Sequence, residues 1–129
     1  MTLLLYIFLG IALFFTSIQL IFVVIVKWRK GKNAPVLGGK AGRLIKSGER
    51  ALFYFYSPGC RACLPMTPVI KEFAKNNNHI FPIDVGKDIS IARKFKVMGT
   101  PSTVLVNEGV IQEFLVGYQS ETKIKNLIS

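Results

Sequence analysis

The first 26 residues are almost entirely apolar. No charged side chain occurs before Lys27, and the run from Leu3 to Val26 contains only one glycine and three uncharged polar residues. As a helix, these residues would span about 36 Å, whereas the hydrocarbon core of a bilayer is about 30 Å thick. The pattern predicts a transmembrane helix over residues 1–26.

A cleaved signal peptide is the alternative for this segment. Such a peptide has a cationic start, a shorter apolar stretch and a cleavage site with small residues. The start, Met1 to Leu3, carries no basic side chain. The sequence therefore favours an uncleaved anchor.

From residue 43 onward the apolar positions indicate a globular domain. Ala51–Tyr56 has the continuous apolar character of a buried central strand. Three further strands are expected, the last two joined by a hairpin turn at 107–109. Helices are expected at the other apolar segments, at Leu44–Gly48, from Cys60 to about Lys75 with a kink at Pro68, at Asp88–Phe95, and at Ser120–Ile128 with Ser120 as N-cap. The remaining strands are Ile80–Val85, Ser102–Val106 and Val110–Val116.

Charge separates the chain into two regions. The net charge is +10, and all seventeen Lys and Arg residues lie at or after Lys27. Seven of them fall between Lys27 and Lys46, before the first acidic residue, Glu49. Pro35 and three glycines are expected to break any helix here, so residues 27–42 are predicted to be a basic flexible linker before a domain at 43–129.

The basic linker indicates where the chain binds and how it is oriented. A basic residue near an anionic leaflet contributes about 1 kcal/mol, so membrane lipid is the expected partner and nucleic acid is not. Lys27, Arg29, Lys30 and Lys32 crowd the end of the apolar helix, beside Trp28. The positive-inside rule then predicts a single-pass protein whose C-terminal domain is cytoplasmic.

The chain has only two cysteines, Cys60 and Cys63, and one histidine, His79. A disulfide scaffold would contain more cysteines, and a structural zinc site needs four ligands, so neither a metal nor another cofactor is expected. A Cys-x-x-Cys pair after a strand and at a helix start is typical of a redox dithiol. The helix N-terminus would stabilise the thiolate, and Arg61 would add a cation beside it.

The motifs together resemble the thioredoxin family over roughly Leu44 to Ser129. The aromatic strand leads into Cys60-Arg61-Ala62-Cys63, and Pro68 follows five residues after the second cysteine. Gly99-Thr100-Pro101 precedes a strand, with Asn107-Glu108-Gly109 and Gly117 beyond it. The resemblance implies an α/β protein with a thioredoxin-like fold, in which a mixed four-stranded sheet of order β-α-β-α-β-β-α is flanked by helices, here behind an N-terminal transmembrane helix.

The resemblance also implies roles for individual residues. Cys60 is similar to the attacking nucleophile and Cys63 to the buried resolving cysteine. Pro101 is similar to the cis-proline that faces the disulfide, and Thr100 would present its backbone to an extended substrate chain. The implied activity is that of a protein-disulfide reductase. The implied partners are proteins with disulfides and an upstream thiol reductant or redox partner protein.

Two positions depart from the family pattern. Tyr54 stands where thioredoxins usually carry a buried Asp that accepts the resolving thiol's proton, and apolar Ile80 stands near the position of a Lys. Cys63 is therefore expected to lose its proton to water or to another group. With Arg61 favouring the thiolate, the reduction potential is expected to be less reducing than that of thioredoxin.

Three functions are compatible with this sequence. The first is a membrane-tethered oxidoreductase that reduces or exchanges protein disulfides. The second is an exported oxidoreductase that serves envelope protein or cytochrome assembly, because many membrane-tethered relatives face away from the cytoplasm. The third is a non-catalytic thioredoxin-like binding module of a membrane complex.

Overall fold

The computed structural model describes all 129 residues, and nine regular elements follow one another along the chain. The helices are α1 Thr2–Trp28, α2 Gly39–Lys46, α3 Thr67–Asn76, α4 Ile89–Lys94 and α5 Glu121–Ile128. The strands are β1 Ala51–Tyr56, β2 Ile80–Asp84, β3 Ser102–Asn107 and β4 Val110–Val116. Their order after α2 is the predicted β-α-β-α-β-β-α.

The four strands form one mixed sheet in the order β2-β1-β3-β4. β1 pairs with β2 in parallel and with β3 antiparallel, and β3 pairs antiparallel with β4. The predicted mixed sheet is therefore confirmed. The β3–β4 turn contains Glu108 and Gly109, both with positive φ, at 53° and 73°. Two such residues are what a two-residue turn of the I′ type requires.

Two apolar layers cover the two faces of the sheet. Successive side chains of a strand point to opposite faces, so β1 contributes Phe53 and Phe55 to one layer and Leu52 and Tyr54 to the other. The first layer is closed by α4, whose following residue Phe95 has its ring 4.8 Å from that of Phe53. The second layer is closed by α3 and α5.

α1 is a long apolar helix with no buried residue. Its 27 residues, with a mean hydropathy of 2.6 over an 18-residue window, are sufficient to cross a membrane, and a signal sequence near an N-terminus has the same properties. The hydroxyl groups of Thr16 and Ser17 both donate to the carbonyl of Leu13, at 2.9 and 2.8 Å. These bonds satisfy the two hydroxyls within the helix itself, as an apolar solvent requires.

The segment after α1 is hydrogen-bonded to the domain. The Gly31 N–H donates to the Ile111 carbonyl, the Ile111 N–H to the Lys32 carbonyl, and the Ala34 N–H to the Gly109 carbonyl, each at 2.8 Å. β4 is an edge strand with unpaired backbone groups, and this segment supplies their partners. Part of the stretch predicted to be a flexible linker is therefore docked along the start of β4.

The helix predicted from Leu44 begins earlier, and the expectation that glycines would break it is wrong. α2 starts at Gly39 and includes Gly42, which is buried. A Cβ at position 42 would lie 2.7 Å from the carbonyl carbon of Leu37, and closer still to its oxygen. Gly42 therefore allows the helix to contact the backbone of Leu37, whose side chain is part of the core.

The helix predicted to open at Cys60 begins at Thr67 instead. Between them the chain forms tight turns, with the Cys63 N–H donating to the Cys60 carbonyl at 3.2 Å and the Met66 N–H to the Cys63 carbonyl at 3.1 Å. Prolines 65 and 68 lack the N–H groups that a regular helix would use here. Proline 68 lies in the first turn of α3, where its missing N–H removes no helical bond, so no kink forms.

We predict that Gly42→Ala destabilises the protein by about 1–3 kcal/mol, because the added methyl group forces the α2 and Leu37 backbones apart. Thermal unfolding in detergent measures this, since each kcal/mol lowers Tm by about 4–8 °C for a domain of this size. Gly59→Ala is the matched control, because a Cβ there meets no atom within 4 Å. Equal Tm values for the two variants would contradict the proposed close contact.

Candidate redox site

The two cysteines follow the carboxyl end of β1 and are joined by a disulfide, with their Cα atoms 5.2 Å apart. Their accessibility differs. Cys60 is half-buried, whereas Cys63 is only 1% exposed. Only the sulfur of Cys60 can therefore be approached by a macromolecule, and Cys63 can react only with Cys60.

The backbone supplies a hydrogen bond to the accessible sulfur. The N–H of Cys63 donates to Sγ of Cys60 at 3.2 Å. A donor aimed at this sulfur stabilises the anionic thiolate over the thiol when the disulfide is reduced. The source of this stabilisation is a tight turn within the Cys-x-x-Cys segment, and not the N-terminus of α3, which begins at Thr67.

The Thr100–Pro101 segment lies beside the cysteine loop. Its peptide bond is cis, as the resemblance implies. The pairing of Phe55 with Ser102 places the start of β3 next to the end of β1. The hydroxyl groups of Ser57 and Thr100 are 3.4 Å apart, which links the two loops directly. The structure thus brings Cys60, Cys63, Thr100 and Pro101 to one edge of the sheet.

Arg61, the remaining predicted site residue, is exposed. None of the four salt bridges involves its guanidinium. It is adjacent to Cys60 in the chain, and its influence on the thiolate remains a prediction. No group of three or more His, Cys, Asp or Glu side chains that could hold a metal ion occurs in the structure.

A cavity of about 390 Å³ adjoins the buried cysteine. Sequence reasoning missed its three charged residues, Lys71, Asp84 and Lys87. The signal that could have found Asp84 is its place at the carboxyl end of β2, because parallel strands end at the same edge of a sheet and Asp84 pairs with Tyr56. The full lining is Tyr56, Ser57, Pro58, Cys63, Leu64, Thr67, Pro68, Lys71, Asp84 and Lys87.

Tyr54 is fully buried beneath this site. Its hydroxyl is 2.8 Å from Oγ1 of Thr67, and the N–H of Thr67 donates to the Cys63 carbonyl at 2.8 Å. Burial raises the pKa of Tyr54, while the hydrogen bond with Thr67 opposes this shift and the neighbouring Tyr56 adds to it. Tyr54 is therefore neutral near pH 7 and acts as a structural support, not as a proton acceptor.

Comparison with known proteins agrees with this geometry. A family model described as Thioredoxin matches residues 41–129. The chain belongs to the thioredoxin family. The matched region therefore includes α2 apart from its first two residues and all four strands, and it leaves out α1 and the segment docked on β4.

The similar proteins include bacterial and plant thioredoxins. The thioredoxin of Staphylococcus saprophyticus is 30% identical over 87 residues, which cover 65% of this chain and 83% of that protein. An H-type thioredoxin of Fagopyrum esculentum is 32% identical over 77 residues, 58% of this chain and 66% of its own length. Thioredoxin H3 of Arabidopsis thaliana is 33% identical over 75 residues, 57% of this chain and 64% of its own length. The chain thus matches slightly under two thirds of the two plant proteins.

Solved structures show the same fold. A mutant thioredoxin of Halobacterium salinarum has a TM-score of 0.58 and 28% identity, covering 76% of this chain and 93% of that one. The thioredoxin of Fasciola hepatica has a TM-score of 0.56 over 67% of this chain and 86% of that one. At 24% identity, the latter supports the fold alone.

We predict that the Tyr54 hydroxyl makes stability depend on pH above 10. Between pH 10 and the raised pKa of Tyr54, the unfolded chain has lost the tyrosine proton and the folded protein keeps it, so stability falls by up to about 1.4 kcal/mol per pH unit. In Tyr54→Phe this dependence of stability on pH should disappear. The variant also lacks the hydrogen bond with Thr67, so at pH 7 it should be less stable by about 1 kcal/mol.

Denaturant unfolding from pH 7 to pH 11 measures both effects. Tyr118→Phe is the control, because that side chain is 55% exposed. Wild-type protein and Tyr54→Phe with parallel stability curves above pH 10 would show that the hydroxyl is not buried in solution.

Proposed function

We propose that this chain is a membrane-tethered thiol–disulfide oxidoreductase that reduces or exchanges disulfides of other proteins. The observation that carries the proposal is the asymmetry of the pair, in which a half-buried Cys60 is bonded to a Cys63 that is 1% exposed. An accessible sulfur can form a bond to a substrate, and a buried neighbour can break that bond without itself being trapped. The cis-proline segment beside the pair supports the same activity.

The reaction begins with the reduced pair. The Cys60 thiolate attacks one sulfur of a substrate disulfide, so that a Cys60–substrate bond forms, the substrate S–S bond breaks and the released substrate thiolate takes up a proton. Cys63 then loses its proton and attacks Sγ of Cys60. The Cys60–substrate bond breaks, the second substrate sulfur leaves as a thiolate with both electrons of that bond and takes up a proton, and the pair becomes the disulfide seen in the structure.

The proton of Cys63 needs a route that Tyr54 does not offer, because Tyr54 is held neutral. The cavity beside Cys63 includes polar side chains in its lining and has about 390 Å³ of space, enough to hold water. The carboxylate of Asp84 lines the same cavity. We therefore assign proton transfer from Cys63 to water in this cavity, with Asp84 as the acceptor at its wall.

The surroundings of the site suit an extended polypeptide. Thr100 precedes the cis-proline, and its backbone is the predicted contact for a substrate chain. Large apolar side chains near both loops are exposed, with Leu64 at 65% and Met98 at 61%. Exposed apolar side chains around a reactive group are typical of a protein-binding surface. An upstream thiol reductant or redox partner protein would return the pair to its dithiol form.

Membrane tethering is proposed from the length and hydropathy of α1. The cations at its end favour a cytoplasmic domain by the positive-inside rule. In that compartment the pair would be kept reduced, and the protein would act mainly as a reductase. The competing proposal is an exported oxidoreductase with the same chemistry on the other side of the membrane.

We predict that Cys60→Ser abolishes disulfide reduction and that Cys63→Ser accumulates covalent complexes with substrates. Without Cys63, the mixed disulfide on Cys60 has no internal nucleophile to release it. A reduction assay on the purified full chain measures activity, and non-reducing gels of Cys63→Ser recovered from cells measure trapping. The double variant is the control and should trap nothing. Activity in both single variants at the wild-type level would instead favour a non-catalytic binding module.

We predict that a membrane-impermeant maleimide labels the domain only after cells are permeabilised. The protein for this test carries Cys60→Ser, Cys63→Ser and Ser129→Cys, so that the reagent can label only position 129. Residue 129 is exposed and far from α1 in the chain. The matched control is Thr2→Cys on the same background, which reports the opposite side. Labelling of residue 129 in intact cells would replace the cytoplasmic orientation with the exported one.

A further inference from the structure

We propose that the cleft between the end of α1 and the domain binds the headgroup of an anionic phospholipid. The cleft has a volume of about 520 Å³ and lies at the end of the helix, away from the redox pair. This inference rests on the proposed membrane anchoring and concerns a site that disulfide exchange does not use.

One wall of the cleft belongs to the last turns of α1. Val24, Ile25 and Trp28 line it, and none of the three is buried. An aromatic residue at the end of an apolar helix is typical of the membrane–water interface. This wall therefore lies where lipid tails end and headgroups begin, and its aliphatic part suits an acyl chain.

The opposite wall belongs to the domain and is basic. Across the whole cleft the lining contains four cations, Arg29, Lys32, Lys94 and Lys96, and no carboxylate. Glu113, on the neighbouring strand β4, is already paired with Lys30 at 2.7 Å. The charge of the cleft is thus not neutralised by the protein, and it is complementary to a phosphate.

The cations fall into two groups. Arg29 is held in place, donating to the Lys96 carbonyl and lying 4.8 Å from the centre of the Phe114 ring. Lys94 donates to the Val36 carbonyl at 3.1 Å. The side chains of Lys32 and Lys96 have no hydrogen-bond or salt-bridge partner, so they are free to reach a headgroup.

Lys96 occupies an unusual backbone position. Its φ is 55°, in the left-handed region just after α4, where glycine or asparagine is the ordinary residue. A lysine here is strained relative to glycine, and it lines the cleft.

A lipid fits this site better than a soluble anion does. Free phosphate would engage the cations and leave Val24, Ile25 and Trp28 uncovered, whereas a phospholipid covers both walls at once. The site is also rigidly connected to the domain, because Val26 packs on the core and residues 31–34 are bonded to the start of β4. A bound anionic lipid would therefore hold the whole domain in one orientation against the leaflet.

Trp28 provides a direct test, because it is the only tryptophan and lies in the cleft. The full chain is reconstituted into phosphatidylcholine vesicles in which an increasing mole fraction of the lipid is replaced by either brominated phosphatidylglycerol or brominated phosphatidylcholine, each with its bromine atoms near the headgroup end of the tails. We expect brominated phosphatidylglycerol to quench Trp28 at a lower mole fraction. Lys32→Gln with Lys96→Gln should raise the half-quenching fraction by about fivefold for each lysine, the usual effect of one basic residue at an anionic surface.

The control is Lys40→Gln with Lys46→Gln, which removes the same charge from α2, outside the cleft. It should leave the half-quenching fraction unchanged, and millimolar inorganic phosphate should not compete. If both double variants raised the half-quenching fraction equally, the proposal would be overturned in favour of diffuse electrostatic attraction. If phosphate competed, the cleft would be a site for a soluble anion. Quenching by both brominated lipids alike would leave the anchor intact and refute the headgroup site, whereas no quenching and no flotation with vesicles would refute the anchor itself.

Discussion

The position of β1 is the constraint on which the rest of the structure depends. Its residues from Ala51 to Phe55 are at most 1% exposed, and the strand is hydrogen-bonded on both sides. Alternate side chains enter the two apolar layers, so a shift by one residue would exchange their contents and is strongly disfavoured. The end of β1 is therefore fixed, and with it the start of the cysteine loop, the adjacent Thr100–Pro101 loop and the end of β2.

The chemistry of the site follows from a difference in burial between two residues three apart. Tight turns between β1 and α3 keep Cys60 at the surface and turn Cys63 inward, against the cavity that Asp84 lines. The Cys63 N–H that bonds to Sγ of Cys60 places a hydrogen-bond donor where negative charge develops. Tyr54 is neutral near pH 7 and puts no negative charge beneath the pair, which is why the proposed route for the Cys63 proton runs through the cavity.

α1 and the domain are connected more closely than a flexible tether would connect them. Three backbone hydrogen bonds hold residues 31–34 on β4, and Arg29 and Lys30 contact the domain through Phe114 and Glu113. Arg29 and Lys30, two of the cations on which the predicted orientation rests, are thus also structural contacts. The arrangement would place the redox site at a defined height above the bilayer, which favours substrates that are themselves near the membrane.

Local patterns in the sequence were sufficient for those features that depend on neighbouring residues. Four features were predicted because each rests on local periodicity, backbone preference or short-range hydrogen bonding. They are the apolar run of α1, the buried strand β1, the hairpin at Glu108 and Gly109, and the Ser120 cap, whose side chain accepts a hydrogen bond from the Lys123 N–H. The Cys-x-x-Cys pair and the Gly99-Thr100-Pro101 segment likewise indicated the redox site before its geometry was known.

Contacts between residues distant in the chain decided the remainder. Gly42 would ordinarily weaken a helix, and only the approach of Leu37 explains why it is there. The docking of residues 31–34 depends on β4 being an edge strand, which composition does not reveal. The cavity beside Cys63 and the basic cleft beside Trp28 each combine residues from separate elements. Such sites form only when packing brings those elements together. The interactions that build them join residues distant in the chain, so no local stretch of sequence reveals them.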